Sequence, residues 1–229
     1  MLDLNKIKEF FKKPSNLILI GILILALVIR LYYFNTNQAV WWDEAEYLLE
    51  AKHLAFGTPN TGFGEVRPIL LSFILSLFYR FGGTEITSRI IILLFSILGV
   101  YLTYLVGKEF FNKNVGLIAA FLLSIFYLDV FNTLRILVDI PGTTIILLII
   151  YLFWKGYYSN KKYIYWFGIA FAIGFMMRFT TVLYLLAILL YLLITEQLRF
   201  LKVKELLIAG ILSFLVALPY FIWSQLTYG

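Results

Sequence analysis

The chain has 229 residues, 62% of them hydrophobic and 14% charged, with a net charge of +6 and a mean hydropathy of +0.91. A soluble domain carries about 45–50% apolar and about 25% charged residues, so the balance excludes an ordinary soluble fold and implies an all-α polytopic membrane protein. The basic residues punctuate apolar runs instead of forming one patch, which reads as orientation in a membrane with no nucleic-acid partner. Absence of cysteine rules out disulfides and thiolate chemistry.

The chain opens with Lys6, Lys8, Lys12 and Lys13 ahead of the apolar stretch Leu17–Ile29. No small-residue cleavage site follows, and the stretch runs on into Arg30-Leu31-Tyr32-Tyr33, so an uncleaved signal anchor is expected. This first span, near 16–34, is about 28 Å long as helix, close to a hydrocarbon core of roughly 30 Å. It leaves Arg30 inside the span.

An outer loop over 35–86, with juxtamembrane helices, comes next. It begins with Trp41-Trp42-Asp43-Glu44, two adjacent carboxylates behind interfacial tryptophans in a chain with only 13 acidic residues. Carboxylates cost roughly 2.5–3.5 kcal/mol at the centre of a spanning helix, so a placement at the water boundary is expected. Ala45, Leu48, Leu49 and Leu54 suit a surface-lying amphipathic helix over 43–56, ended by Gly57-Thr58-Pro59. Gly62 and Gly64 mark a loop before Arg67-Pro68, and Pro68 suits a helix start. Ile69–Tyr79 reaches only about 16 Å as helix, too short to span and suited to an interfacial or re-entrant helix.

Further spans are expected near 88–107, 114–131, 141–157, 164–178, 180–194 and 205–225, making about seven, with a tight turn where Arg178 interrupts the apolar run. Basic residues orient them. With Ile69–Tyr79 on the outer surface and the N-terminus inside, twelve lysines and arginines face inward and six outward. Were that segment to span, the count would become eight against ten, so the positive-inside rule selects a cytoplasmic N-terminus.

That topology collects Asp43, Glu44, Arg67, Arg135, Asp139 and Arg178 on the outer face. Each residue alone has a plainer reading: Asp139, before Ile140-Pro141, as a helix cap, the arginines as groups snorkelling to headgroups, and Asp43-Glu44 as a solvated pair. Together they suit transfer of a group from a lipid phosphate, with guanidinium forks on phosphate oxygens and a carboxylate deprotonating an incoming hydroxyl or amine. Spanning helices would hold the donor's apolar tail.

At these residues the chain resembles the GT-C superfamily of membrane glycosyltransferases, specifically the protein-O-mannosyltransferase and aminoarabinose-transferase-like group. The matching pieces run in order: Trp42-Asp43-Glu44-Ala45-Glu46-Tyr47, Arg67-Pro68-Ile69-Leu70, Ser88-Arg89, Gly107-Lys108-Glu109-Phe110-Phe111, Arg135 through Pro141, Gly168 through Thr180, and Leu218-Pro219-Tyr220 through Gly229. The resemblance implies a cell-membrane transferase that takes sugar from a polyprenyl-phosphate donor on the outer face, typically with inversion, and passes it to a protein, lipid or glycan acceptor. It implies Asp43 as general base, Glu44 as a supporting acid and Asp139 as a second acidic site. Arg67, Arg135 and Arg178 are implied at the donor phosphate, although Lys is commoner in the family at the Arg178 position. Some relatives are associated with divalent ions, but no His/Cys cluster stands here, so no obligate metal or other cofactor is expected, and the lone His53 reads as a surface residue.

The family normally continues into further spans, so the expectation for 1–229 is a single GT-C-like module, truncated relative to the family or completed by a second subunit. A non-catalytic module binding lipid phosphates is the alternative. A transporter is disfavoured because the acids avoid the spans, apart from Asp129 near the outer end of the third, and no repeat is evident.

Overall fold

The computed structural model describes residues 13–36, 39–59 and 67–228. The expectations for Lys6, Lys8 and Lys12 and for the loop bearing Gly62 and Gly64 lie outside the described residues. Helix α1 (Pro14–Tyr33) opens with proline at its first position, where the missing N–H costs nothing. Next come α2 (Trp42–Phe56) and α3 (Leu70–Tyr79), which pack on each other as a short helical pair. Gly57 closes α2 in the left-handed region at φ 69°. Gly82, at φ 82°, turns the chain from α3 into α4 (Glu85–Phe110).

Asn112 caps α5 (Lys113–Ile125) by accepting the N–H groups of Asn114 and Val115 at 3.0 and 3.1 Å. Helices α4 and α5 form a close hairpin. A Cβ on Gly107 would lie 2.8 Å from the Gly116 Cα, so both positions need glycine for the backbones to meet. After α6 (Tyr127–Thr133) come α7 (Asp139–Tyr158), α8 (Lys162–Met177), α9 (Val182–Glu196) and α10 (Lys204–Tyr228). A 3₁₀ turn at Phe179–Thr181 sits at the break expected beside Arg178.

Two apolar cores hold the helices. One joins α2, α3, α4, α7, α8 and α10 through residues such as Leu71, Ile92, Ile149 and Ile164; the other joins α1, α4 and α5 through Ala26, Val100 and Ala120. Outward faces are apolar as well, with Leu183, Leu190, Ile194 and Leu207 each more than half exposed, as lipid-facing surfaces are. In α2 the buried stripe differs from the sequence expectation: Tyr47, Leu48 and Ala51 face the core, while Leu49 is exposed.

Among the described residues, α1, α4, α7, the α9 segment from Phe179 and α10 are five helices long and apolar enough to cross a membrane. The expected continuous third span is corrected. It is two helices, α5 and α6, bent by 58° at Phe126, and it makes a sixth crossing only if the pair is one span. Phe126 is extended at φ −68°, ψ 118°, although neither glycine nor proline marks the site. Helix α8, at 16 residues, reaches about 24 Å and is short for a span, so the count of about seven rests on it and on the bent pair.

The bend is held by charge. Arg30, fully buried in α1, donates from Nε to Ser96 Oγ at 2.7 Å and from Nη1 to the carbonyls of Ala26 and Ser124, both at 3.0 Å. Its Nη2 pairs with Asp129 of α6, and Ser96 Oγ donates to the same carboxylate oxygen at 2.8 Å. Ser124 lies in the last turn of α5, where a carbonyl lacks its helical partner. A guanidinium supplies that donor and an anion together.

Candidate active site

Asp43 and Glu44 occupy the first turn of α2, where carboxylates suit the helix dipole. Neighbours on a helix point about 100° apart, since 3.6 residues make a turn. The two carboxylates therefore part company. Glu44 is fully buried, whereas the Asp43 side chain is 51% exposed.

Glu44 is the hub of the buried layer. Its Oε2 accepts the Trp41 N–H at 2.8 Å, the reach-back half of a capping box, and Arg135 Nη1 at 3.1 Å. Its Oε1 accepts the Ile136 N–H at 2.7 Å and lies 3.9 Å from Arg89 Nη1. Arg135 also donates to the Ala39 carbonyl at 2.7 Å and stacks 3.7 Å over the Trp41 ring. Arg89 donates to the Leu134 carbonyl. One carboxylate thus ties together α2, the start of α4 and the segment between α6 and α7.

Two exposed pairs complete the set. Asp43 Oδ1 meets Arg67 Nη2 at 2.6 Å, and Arg67 lies 5.8 Å over the ring of Tyr47, to which it is also hydrogen-bonded. Burial pushes the Tyr47 hydroxyl up, against the pull of Arg67 and with a contribution from the charge of Asp139. Asp139 follows Arg135, the partner of Glu44, by four residues. Asp139 Oδ1 meets Arg178 Nη1 at 3.0 Å, with side-chain exposures of 47% and 40%. The Arg178 stem runs past Gly142, where a Cβ would stand in ordinary van der Waals contact with it at 3.4 Å.

Each sequence-predicted site residue therefore falls in one region, at the meeting of α2, α7 and α8 with the segment after α6. Asp139 differs in role from the expected cap: it is the first residue of α7, Val138 precedes it at the cap position, and its carboxylate engages Arg178. Sequence reasoning missed Arg89 and Tyr47. Arg89 is the fifth residue of α4, past its first turn, and only its approach to Glu44 in the fold marks it.

A cleft of about 720 Å³ borders the buried layer, walled by Ile29, Tyr33, Trp41, Tyr127, Phe131 and Arg135. A second, of about 560 Å³, runs between α8, α9 and α10 and is almost wholly apolar, with Phe175 and Val182 among its walls. Among the described residues no group of three or more His, Cys, Asp or Glu could hold a metal ion.

The family model described as dolichyl-phosphate-mannose-protein mannosyltransferase matches residues 66–223. A curated protein of Aquifex aeolicus (strain VF5), titled only as an uncharacterized protein, is 30% identical over 156 residues, covering 63% of this chain. The chain spans 31% of that relative's length. No solved structure matches. With the match covering more than half of its length, this chain belongs to the dolichyl-phosphate-mannose-protein mannosyltransferase family of membrane glycosyltransferases.

Proposed function

We propose that this chain forms the catalytic membrane module of a glycosyltransferase that moves a sugar from a polyprenyl-phosphate donor to an acceptor at the outer face. The observation that carries the reading is two part-exposed ion pairs, Asp43–Arg67 and Asp139–Arg178, tied through adjoining stretches of chain to a buried Glu44–Arg135 pair. Surface acids and guanidiniums are ready to exchange partners, while the buried set fixes the backbone beneath them. The basic residues of the inner linkers support the outer-face placement.

In this reading Arg67 and Arg178 turn from their carboxylates to the donor phosphate oxygens, as guanidinium forks do. Asp43, released from Arg67, accepts the proton of the acceptor hydroxyl or amine as that atom bonds to the anomeric carbon. The bond from that carbon to the phosphate oxygen breaks, and polyprenyl phosphate leaves with its charge met by the arginines. A single displacement inverts the anomeric centre. Asp139 orients the acceptor or holds Arg178 until the donor arrives. Arg135, expected at the phosphate, is buried against Glu44, Ala39 and Trp41, so in our reading it supports the site instead. The cleft beside Trp41 and Phe131 would take the first isoprene units.

The test is native mass spectrometry of the chain with a polyprenyl-phosphate sugar, joined to a transfer assay. Arg67→Ala should weaken donor binding about ten- to hundredfold, the value of a charge-assisted contact. Asp43→Asn should keep the donor and lower transfer about 10²- to 10⁴-fold. Transfer near the wild-type rate in Asp43→Asn would refute the base assignment, and unchanged affinity in Arg67→Ala would refute the phosphate role. Donor binding with no transfer by the wild type would favour a non-catalytic module or a subunit.

A further inference from the structure

The Arg30–Ser96–Asp129 network lies below the candidate active site and touches none of its carboxylates. Its geometry nevertheless reaches the site through a short covalent path. Asp129 is in the first turn of α6, a helix of seven residues, and Arg135 follows Asp129 by six positions. Between them every joint is fastened. Thr133 Oγ1 donates to the Asp129 carbonyl at 2.6 Å, the Arg135 N–H donates to the Asn132 carbonyl at 3.1 Å, and Leu134 offers its carbonyl to Arg89. Val130, Thr133, Leu134, Arg135 and Ile136 are all buried. A rotation of α6 about its bend would therefore carry Arg135 and the Ile136 N–H away from Glu44, and Asp139 with them.

Neither proline nor glycine lies at Phe126, and the local cue is one serine, Ser124, whose hydroxyl donates back to the Phe121 carbonyl at 2.6 Å in the last turn of α5. The tertiary hold on the angle is the guanidinium of Arg30, which reaches the α5 end through the Ser124 carbonyl, the α6 start through Asp129, and α4 through Ser96. Three directions from one planar fork determine an orientation, where a point charge would determine only a distance. Arg30, Ser96 and Ser124 are fully or nearly fully buried and the Asp129 side chain is 14% exposed, a setting where an ionised pair is tolerated only when its hydrogen bonds are met.

We propose that Arg30 and Asp129 are positioning residues for the candidate active site: through the bend between α5 and α6 they set the segment 134–139 against Glu44. The proposal rests on reading the acidic cluster as the catalytic centre.

The experiment is hydrogen–deuterium exchange of the full chain in detergent or nanodiscs, comparing wild type with Asp129→Asn, Arg30→Lys and Ser96→Ala. Asp129→Asn should raise exchange across 134–140 about tenfold or more, with the α7–α8 core near Ile149 unchanged. Arg30→Lys, which keeps the charge and loses the fork, should do the same to a smaller degree, and Ser96→Ala should give about a threefold rise. Where the donor is retained, the same variants should weaken its binding in that order. Wild-type protection at 134–140, with loosening confined to 26–33 and 121–129, would overturn the proposal. So would equal loosening of every helix, which marks a purely stabilising pair. Should Asp129→Asn fail to fold, Ser96→Ala decides, and unchanged exchange at 134–140 in that variant counts against the proposal. These readouts need no donor, so a wild type that transfers no sugar would defeat the proposed function and leave the positioning result standing.

Discussion

Replacing Glu44 by Gln keeps the shape of the buried hub and removes its charge. In the wild type the carboxylate accepts three hydrogen bonds, from Trp41 N–H, Ile136 N–H and Arg135, with Arg89 a further 3.9 Å cation. A glutamine offers one acceptor oxygen and an NH₂ group that must face at least one of those donors. It also removes the charge that two buried guanidiniums, Arg89 and Arg135, approach to within 4 Å. Breaking a buried pair from one side costs about 3–5 kcal/mol. At about 2–4 °C per kcal/mol for a chain of this size, thermal unfolding in detergent, followed by tryptophan fluorescence, should fall by about 6 °C or more. The double variant Glu44→Gln/Arg135→Met removes one stranded charge and keeps an apolar group against Trp41, so it should be more stable than Glu44→Gln alone. A Glu44→Gln loss below about 1 kcal/mol, or a double variant costing the sum of the two singles, would refute the account of Glu44 as the buried hub.

Three other outcomes are expected. Glu50 on α2 is fully buried, and neither of its oxygens has a hydrogen-bond partner among the described residues; burial pushes its carboxyl up, against the nearby His53. Its neutral form is therefore favoured in the fold, so its contribution to stability is greatest below the ordinary carboxylate range and is lost as pH rises through the raised value. Glu50→Gln should gain in unfolding temperature over the wild type between pH 4.5 and pH 8, and a gap that narrows over that range would contradict this. Gly168→Ala places a Cβ 2.2 Å from the Ala209 carbonyl oxygen, so α8 and α10 must separate; a loss of about 1–3 kcal/mol is expected in the same unfolding assay, and a neutral variant would show that the contact yields freely. Phe81→Cys, at a position 92% exposed between α3 and α4, should react with a membrane-impermeant thiol reagent from outside the cell, since the chain has no native cysteine. Labelling only from the cytoplasmic side would reverse the orientation drawn from the lysines.

Much of the architecture was legible in the sequence because lipid imposes a simple rule. A backbone in hydrocarbon must satisfy itself, so apolar runs become helices whose lengths can be read directly. Helix α1, the short α3, the turn at Arg178 and the gathering of Asp43, Glu44, Arg67, Arg135, Asp139 and Arg178 follow from run lengths, interrupting residues and basic punctuation. The order of motifs likewise carried the family. The bend at Phe126 did not follow, because the guanidinium that meets both of its sides, that of Arg30, lies 96 residues earlier. Partner choice among the charges was equally hidden: Asp43 and Glu44 are adjacent in sequence, yet one is half exposed with Arg67 and the other buried with Arg135. A helix separates neighbouring side chains by about 100°, so which one faces the core depends on what packs there. Local chemistry and hydrophobic run length thus determined the class of protein, its longest apolar helices and most of the charged residues that gather at the candidate site. Only the tertiary structure decided which acid is half exposed beside Arg67 and which is buried against Arg135, because burial and ion pairing are set by residues far apart in the chain.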